Sequence, residues 1–165
     1  MSKTQKYLVL FSLFIVPLLF YIFLQLGTHN FGKLQIVSKN VLDVSLIDKS
    51  YSFQGKVSVV VFIGENVDRA KAELFNLNEK IYKKFYGYTD FQIIALVSKG
   101  NESNVQALVK KLSLNTNMIK WNFVYASKQE INAIHESFKT TDNLDESSHH
   151  FKAYIVDKEM ALRRG

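Results

Sequence analysis

The sequence predicts an α/β domain, a central sheet flanked by helices, carried behind one N-terminal transmembrane helix. Three observations predict it. An uncharged apolar run fills residues 8–26. Two later runs, 56–63 (KVSVVVFI) and 91–97 (FQIIALV), are apolar almost without a break, as strands buried on both faces are. Around them lie segments whose apolar residues recur at helical spacing.

The first run reads LVLFSLFIVPLLFYIFLQL, with Ser12 and Gln25 as its only polar breaks. At about 1.5 Å per residue it spans roughly 28 Å, close to the hydrocarbon thickness of a bilayer. A buried helix of a soluble protein would show a polar face, and this run shows none. Pro17 predicts a kink, which a membrane helix tolerates. The core is long and bulky, and Leu26-Gly27-Thr28-His29 offers no Ala-x-Ala pattern, so an uncleaved anchor is favoured over a cleaved signal. Lys3 and Lys6 precede the run with no acid beside them. That bias places residues 1–7 in the cytoplasm, 8–26 in the cell membrane, and everything after them outside the cytoplasm.

Residues 27–40 read as a tether and 41–165 as the domain. Within it, 41–47 alternates as a short strand, and 51–53 pairs back across the turn Asp48-Lys49-Ser50. The buried strand 56–63 ends at Gly64. A helix follows over 67–86, with Ala70, Leu74, Leu77, Ile81 and Phe85 forming its inward stripe. The strand 91–97 leads to a turn at Lys99-Gly100-Asn101 and a helix over 104–112, for which Ser103 and Gln106 offer a capping box. A third strand covers 121–125 (WNFVY), with Trp121, Phe123 and Tyr125 as core candidates. Ser127 and Glu130 form a second capping box opening a helix over 127–138. The polar stretch 139–150 is a loop. A strand at 153–156 and a turn at Lys158-Glu159 then lead to a last strand over 160–163. This order makes an α/β sandwich with parallel crossovers and a terminal antiparallel hairpin.

The chain has no cysteine. That excludes a disulfide framework, a thiol nucleophile, a CxxC redox pair, a cysteine zinc site and a lipid-bearing cysteine. Of its 21 basic side chains, Lys3 and Lys6 precede the anchor, leaving 19 against 15 acids beyond it, a net +4. These charges are dispersed, with no basic stripe interleaved with aromatics, so nucleic acid is not an expected partner.

Several pieces, taken in order, resemble the Sco/SenC family of membrane-anchored thioredoxin-fold proteins linked to copper delivery in cytochrome oxidase assembly. They are the anchor followed by Leu34-Gln35-Ile36-Val37, then Val44-Ser45-Leu46-Ile47-Asp48, and Gly55-Lys56-Val57 running into VVVFI. Trp121-Asn122-Phe123 follows, then His149 eight residues before Asp157 at the end of Ile155-Val156-Asp157, and the closing hairpin at 158–163. The resemblance covers roughly residues 34–163 and implies a thioredoxin-like central sheet. The family's metal and redox centre uses a CxxxC pair after the first core strand plus a distal histidine. Here the cysteine positions fall on Val67 and Lys71 or on Asp68 and Ala72, depending on register. None of these is a soft donor of the kind that selects Cu(I). His149 matches the third ligand.

The adjacent pair His149 and His150 is the metal candidate, a weak copper, zinc or nickel site with Asp142, Asp145 and Glu146 as oxygen donors from the same loop. Neighbouring side chains on an extended segment point to opposite sides, so the competing reading is a polar loop in which His149 packs or faces water. His135 is read as partly buried in the last main helix, and His29 as an interfacial residue of the tether. Glu65 and Asp68 stand at the positive end of the helix dipole after Gly64, as caps or as oxygen ligands. The stretch 83–89 (KKFYGYT) is read as a helix end packed over the sheet or as a protein contact patch. Ser147-Ser148-His149 forms no recognisable nucleophile constellation.

The expected function is that of a non-catalytic Sco/SenC-like binding or assembly protein, no enzyme and without a bound cofactor. By resemblance its partner is another membrane protein of respiratory-chain biogenesis. The alternative is a weak copper carrier using His149 or His150.

Overall fold

A computed structural model describes residues 2–26 and 34–164, which fall into two compact units divided between Lys33 and Leu34. The expected tether residues 27–33, His29 among them, lie outside the described residues. The first unit is one helix, α1 (Lys3–Leu26), of 24 residues with Pro17 inside it and no buried side chain. It is long and apolar enough to cross a membrane.

The second unit is built on a five-stranded sheet. Its strands are β1 (Val57–Gly64), β2 (Phe91–Ser98), β3 (Trp121–Ala126), β4 (His150–Val156) and β5 (Leu162–Arg164), in the order β3-β2-β1-β4-β5. β1, β2 and β3 run parallel, β4 is antiparallel to β1, and β5 is antiparallel to β4. The four strands expected in one sheet are all there.

Both faces of the central strands are buried, which is why β1 and β2 carry no polar alternation. On one face Val60, Phe62, Ile94, Leu96, Val124 and Tyr154 pack against Ile131, Ile134 and Phe138 of α5 (Lys128–Ser137) and against Val44 and Phe53. On the other, Val59, Val61, Ile63, Ile93 and Val97 pack against α2 (Val67–Leu77) and α4 (Glu102–Leu112). α5 opens on the expected capping box: the Ser127 hydroxyl accepts from the Glu130 N–H, and the Glu130 carboxylate accepts from the Ser127 N–H at 2.7 Å.

Four expectations change. Residues 41–47 and 51–53 make no hairpin. Asp43 instead folds the segment around its carboxylate, which accepts from the Ser52 hydroxyl (2.5 Å) and the Phe53 N–H (2.8 Å), and Val44–Leu46 is one 3₁₀ turn. The Ser103–Gln106 capping box is absent. α4 starts earlier, at Glu102 after Asn101, which leaves Ser103 exposed inside the first turn. The cap of α2 is Asn66, whose side chain accepts from the Arg69 N–H at 3.1 Å, rather than Glu65 or Asp68; Asp68 still lies in the first turn, where the dipole favours it.

The fourth change is the stripe of the long helix. Beyond Leu77 the chain passes through a π-helical turn (Asn78–Tyr82) into the short α3 (Lys83–Phe85). The wider turn brings Asn78 and Tyr82 inward, leaving Leu77 and Ile81 half-buried and Phe85 exposed. These inward polar groups are satisfied. Asn78 accepts from the Trp121 indole N–H (3.3 Å) and donates to Thr116 (3.0 Å), and the Tyr82 hydroxyl donates to the Asn117 carbonyl (2.7 Å). Trp121 is buried, as expected, while Phe123 and Tyr125 are half-buried.

Candidate functional site

The carboxyl end of β1, the amino end of α2 and the loop before β4 meet at one place. Gly64 ends β1 at φ +65°, and a Cβ there would lie 1.9 Å from the Ser147 carbonyl oxygen. Only glycine lets the loop come this close. The Glu65 N–H donates to that carbonyl at 2.9 Å. The Asn66 cap sets the phase of α2 so that Arg69 and Glu73, one turn apart, face the loop.

Two side-chain contacts latch the junction. Arg69 Nη1 donates to Asp145 Oδ2 at 2.7 Å, and His149 Nε2 lies 3.1 Å from Glu73 Oε2. A carboxylate only accepts, so Nε2 carries the proton of this second bond. Asp145 also organises the loop. Its Oδ1 accepts from the backbone N–H of Ser147 (3.0 Å) and of His149 (2.9 Å) and from the Ser147 hydroxyl (2.7 Å). Burial opposes ionisation of this carboxyl, but those donors and the Arg69 guanidinium together outweigh it and hold the pKa at about 2.

His149 and His150 serve different clusters. His149 is 5% exposed and turned onto α2. His150 turns the other way: its Nδ1 accepts from the Lys152 N–H (3.1 Å) and lies 3.3 Å from the Tyr154 hydroxyl. Asp142 Oδ2 and His135 Nε2 each lie 3.4 Å from that same hydroxyl. Burial lowers the pKa of His135 and of His150, and burial with the nearby Asp142 pushes Tyr154 up to about 12. The Lys152 ammonium, 2.8 Å from Asp142, holds that carboxyl below the usual range. His135 is thus buried, as its place beside Ile131 and Ile134 predicts.

Neither expected register of the missing cysteine pair faces the loop. Val67 is buried in the core, Lys71 pairs with Asp68, and Ala72 is exposed. The residues at a spacing of four that do face it are Arg69 and Glu73, which the sequence reading passed over. Their opposite charges at i, i+4 were the available signal, but nothing local links them to a loop 76 residues away.

These residues do not fit a Cu(I) centre. No thiol is present, and the α2 face offers a guanidinium already paired with Asp145 and a carboxylate already engaged by His149. Among the described residues, no group of three or more His, Asp or Glu side chains is placed to hold a metal ion. Acid–base chemistry on a nucleophile is not assembled either. The Ser147 hydroxyl donates to Asp145 and the Ser148 hydroxyl to Asn132, neither to a histidine. Beside the latch runs an apolar groove of about 340 Å³, lined by Ala70, Leu74, Leu77, Ile81, Phe151 and Ala153, with Phe151 68% exposed.

A Bacteroides thetaiotaomicron protein assigned as a protein disulfide isomerase superposes with a TM-score of 0.53 at 13% identity, over 79% of this chain and 77% of that one. The fold is thioredoxin-like. A yeast mitochondrial 1-Cys peroxiredoxin gives 0.51 at 11% identity, over 79% and 65% of the two chains. BsSco, of the Sco family of cytochrome c oxidase assembly proteins, gives 0.43 at 17% identity, over 78% and 84%, and adds nothing to the fold assignment. At such identities the likeness extends to fold and not to chemistry. No protein-family model matches the chain, and no curated protein matches it.

Proposed function

We propose that the chain is a membrane-anchored, non-catalytic relative of the Sco/SenC proteins that acts by binding, as an assembly factor for a membrane complex of the respiratory chain such as cytochrome oxidase. The observation that carries this reading is the latch. At the amino end of the helix after the first core strand, the chain puts an Arg69–Asp145 ion pair, a His149–Glu73 hydrogen bond and no thiol. Such a junction fixes a loop in place and does no redox work. The apolar groove bordering it and the exposed Phe151 suit docking better than catalysis. The respiratory setting rests on the ordered resemblance along residues 34–163 and on the anchor-like helix α1.

In the proposed topology α1 spans the cell membrane and the domain lies outside the cytoplasm. Protease added to intact spheroplasts then digests the domain; protection until lysis would overturn the orientation. Mild solubilisation of native membranes should copurify a respiratory assembly protein or oxidase subunit, and deleting the chain should lower assembled oxidase. Unchanged oxidase content in the deletion strain would overturn the respiratory reading.

A further inference from the structure

At the end of the sheet away from the latch, the amino ends of β2 and β3, the domain is both aromatic and basic. Two segments meet there, 83–90 before β2 and 113–120 before β3. The Tyr82 hydroxyl joins them, donating to the Asn117 carbonyl (2.7 Å) and accepting from the Lys120 N–H (3.1 Å), and the Lys120 ammonium reaches the Tyr88 carbonyl. Among the described residues, five of the domain's twelve exposed large apolar side chains stand on these two segments: Phe85, Tyr86, Tyr88, Leu114 and Ile119, 43% to 78% exposed. Single exposed apolar residues are ordinary, but five on two joined segments mark a contact surface.

The charges around them share one sign. Residues 79–90 and 110–120 carry six lysines against Glu79 and Asp90, a net +4. Glu79 is taken by Lys83 at 2.6 Å, and Asp90 by Lys158. Lys84, Lys110 and Lys111 are exposed and have no carboxylate partner among the described residues. This chemistry decides the occupant. Lysine is depleted where proteins meet proteins. A bilayer surface takes the opposite mixture, with tyrosine and phenylalanine rings at headgroup level and lysines drawn to anionic lipid.

The chain also enters the domain at this end. Ser38 bridges to Leu162, Leu162 pairs with Val156, Val156 with Ser58, and Ser58 with Gln92, so one rung of the sheet runs from the entry to the residue after Phe91. Leu34 lies four residues from that rung, at most about 14 Å along the chain, and the seven residues 27–33 can span up to about 25 Å. A bilayer holding α1 is therefore within reach of Tyr88 and Ile119. We propose that Phe85, Tyr86, Tyr88, Leu114 and Ile119, with Lys84, Lys110 and Lys111, form a docking surface for the anionic lipid of the membrane in which α1 is anchored. The proposal rests on the anchored reading given above. Docked in this way, β1 rises from the bilayer and carries the latch about 25 Å above it, eight residues at about 3.3 Å each.

A chain without cysteine makes the test direct. Nitroxide labels on single cysteines read bilayer contact as the ratio of relaxation by oxygen to relaxation by a water-soluble nickel chelate. The full chain is reconstituted in vesicles of phosphatidylcholine and phosphatidylglycerol. Thr89→Cys and Asn115→Cys, exposed beside the five apolar side chains, should favour oxygen. Asn104→Cys, exposed at the latch end of α4, should favour nickel. Leu19→Cys on α1 separates the two readings. If position 19 favours nickel, the anchor fails and the proposal falls with it. If 19 favours oxygen while 89 and 115 favour nickel, the anchor stands and the docking surface alone is overturned. Lys84→Glu with Lys111→Glu, or vesicles without phosphatidylglycerol, should return 89 and 115 to water; labels unmoved by both changes would overturn the role of charge and with it the proposal. A photo-crosslinker at position 89 in native membranes should capture lipid, and a protein adduct in its place would overturn the choice of partner.

Discussion

Gly64→Ala tests whether the close approach of the loop to β1 shapes the junction. The added Cβ would sit 1.9 Å from the Ser147 carbonyl oxygen and 2.7 and 2.8 Å from the carbonyl carbon and oxygen of Ser148, all backbone atoms. Alanine at φ +65° costs about 1–2 kcal/mol by itself. Pushing the loop away loses the bond from the Glu65 N–H to the Ser147 carbonyl, about 1 kcal/mol. It also loosens the Arg69–Asp145 and Glu73–His149 contacts, about 1 kcal/mol more for partly exposed pairs. The sum is about 3–4 kcal/mol. Gly55→Ala is the control, because Gly55 has φ +75° with nothing within 4 Å of its would-be Cβ, so it costs only the backbone share of about 1–2 kcal/mol. Urea melts in detergent, followed through the buried and only tryptophan, Trp121, report both. With a urea slope of about 1–3 kcal/mol per molar, the difference of about 2 kcal/mol should place the Gly64 variant about 0.7–2 M below the Gly55 variant. Coincident melts would refute the reasoning, because the loop would then yield without cost.

Three further outcomes are expected. The Asp145 pKa of about 2 lies below its ordinary 3.8, so its stabilisation is whole above about pH 4 and fades toward pH 2; the midpoint gap between wild type and Asp145→Asn should close over that window, and a gap constant to pH 2 would contradict the assignment. His135 and His150 are held below their ordinary value of 6.5 by burial, so the folded state binds fewer protons than the unfolded one and loses stability as pH falls below about 6.5; His135→Phe should flatten part of that slope in urea midpoints taken from pH 7.5 to 5. Cu(I) titrated against a chelator should not be retained, since no thiolate exists; weak Cu(II) binding that vanishes in His149→Ala but persists in His150→Ala would place any residual site at the latch.

Some of this was readable in the chain. β1 and β2 announce themselves as unbroken apolar runs because both of their faces are covered, and α5 because Ser127 and Glu130 cap it three residues apart. The length and uniform apolarity of α1 need no tertiary contact to be recognised. Their signals are periodicity and near-neighbour chemistry, which a linear chain displays directly. Residues 41–47 misled because alternating apolar residues suit a strand as well as a segment folded around one carboxylate. Asp43 takes the second course only because Ser52 and Phe53 come back to it. The π-turn is equally tertiary in origin, since Asn78 and Tyr82 turn inward where Trp121, Thr116 and Asn117 await them.

The site lies furthest from what local pattern encodes. His149 stood out as a residue type, but its meaning depends on Glu73, and that of Asp145 on Arg69. The sequence by itself determined an anchor-like helix, a mixed α/β sheet and the absence of thiol chemistry. That the place of the thiol pair is closed by an ion pair and a histidine–carboxylate hydrogen bond was decided by the tertiary structure alone, because each contact joins residues 76 positions apart, and only the glycine turn at Gly64 lets the loop come near enough for them to form.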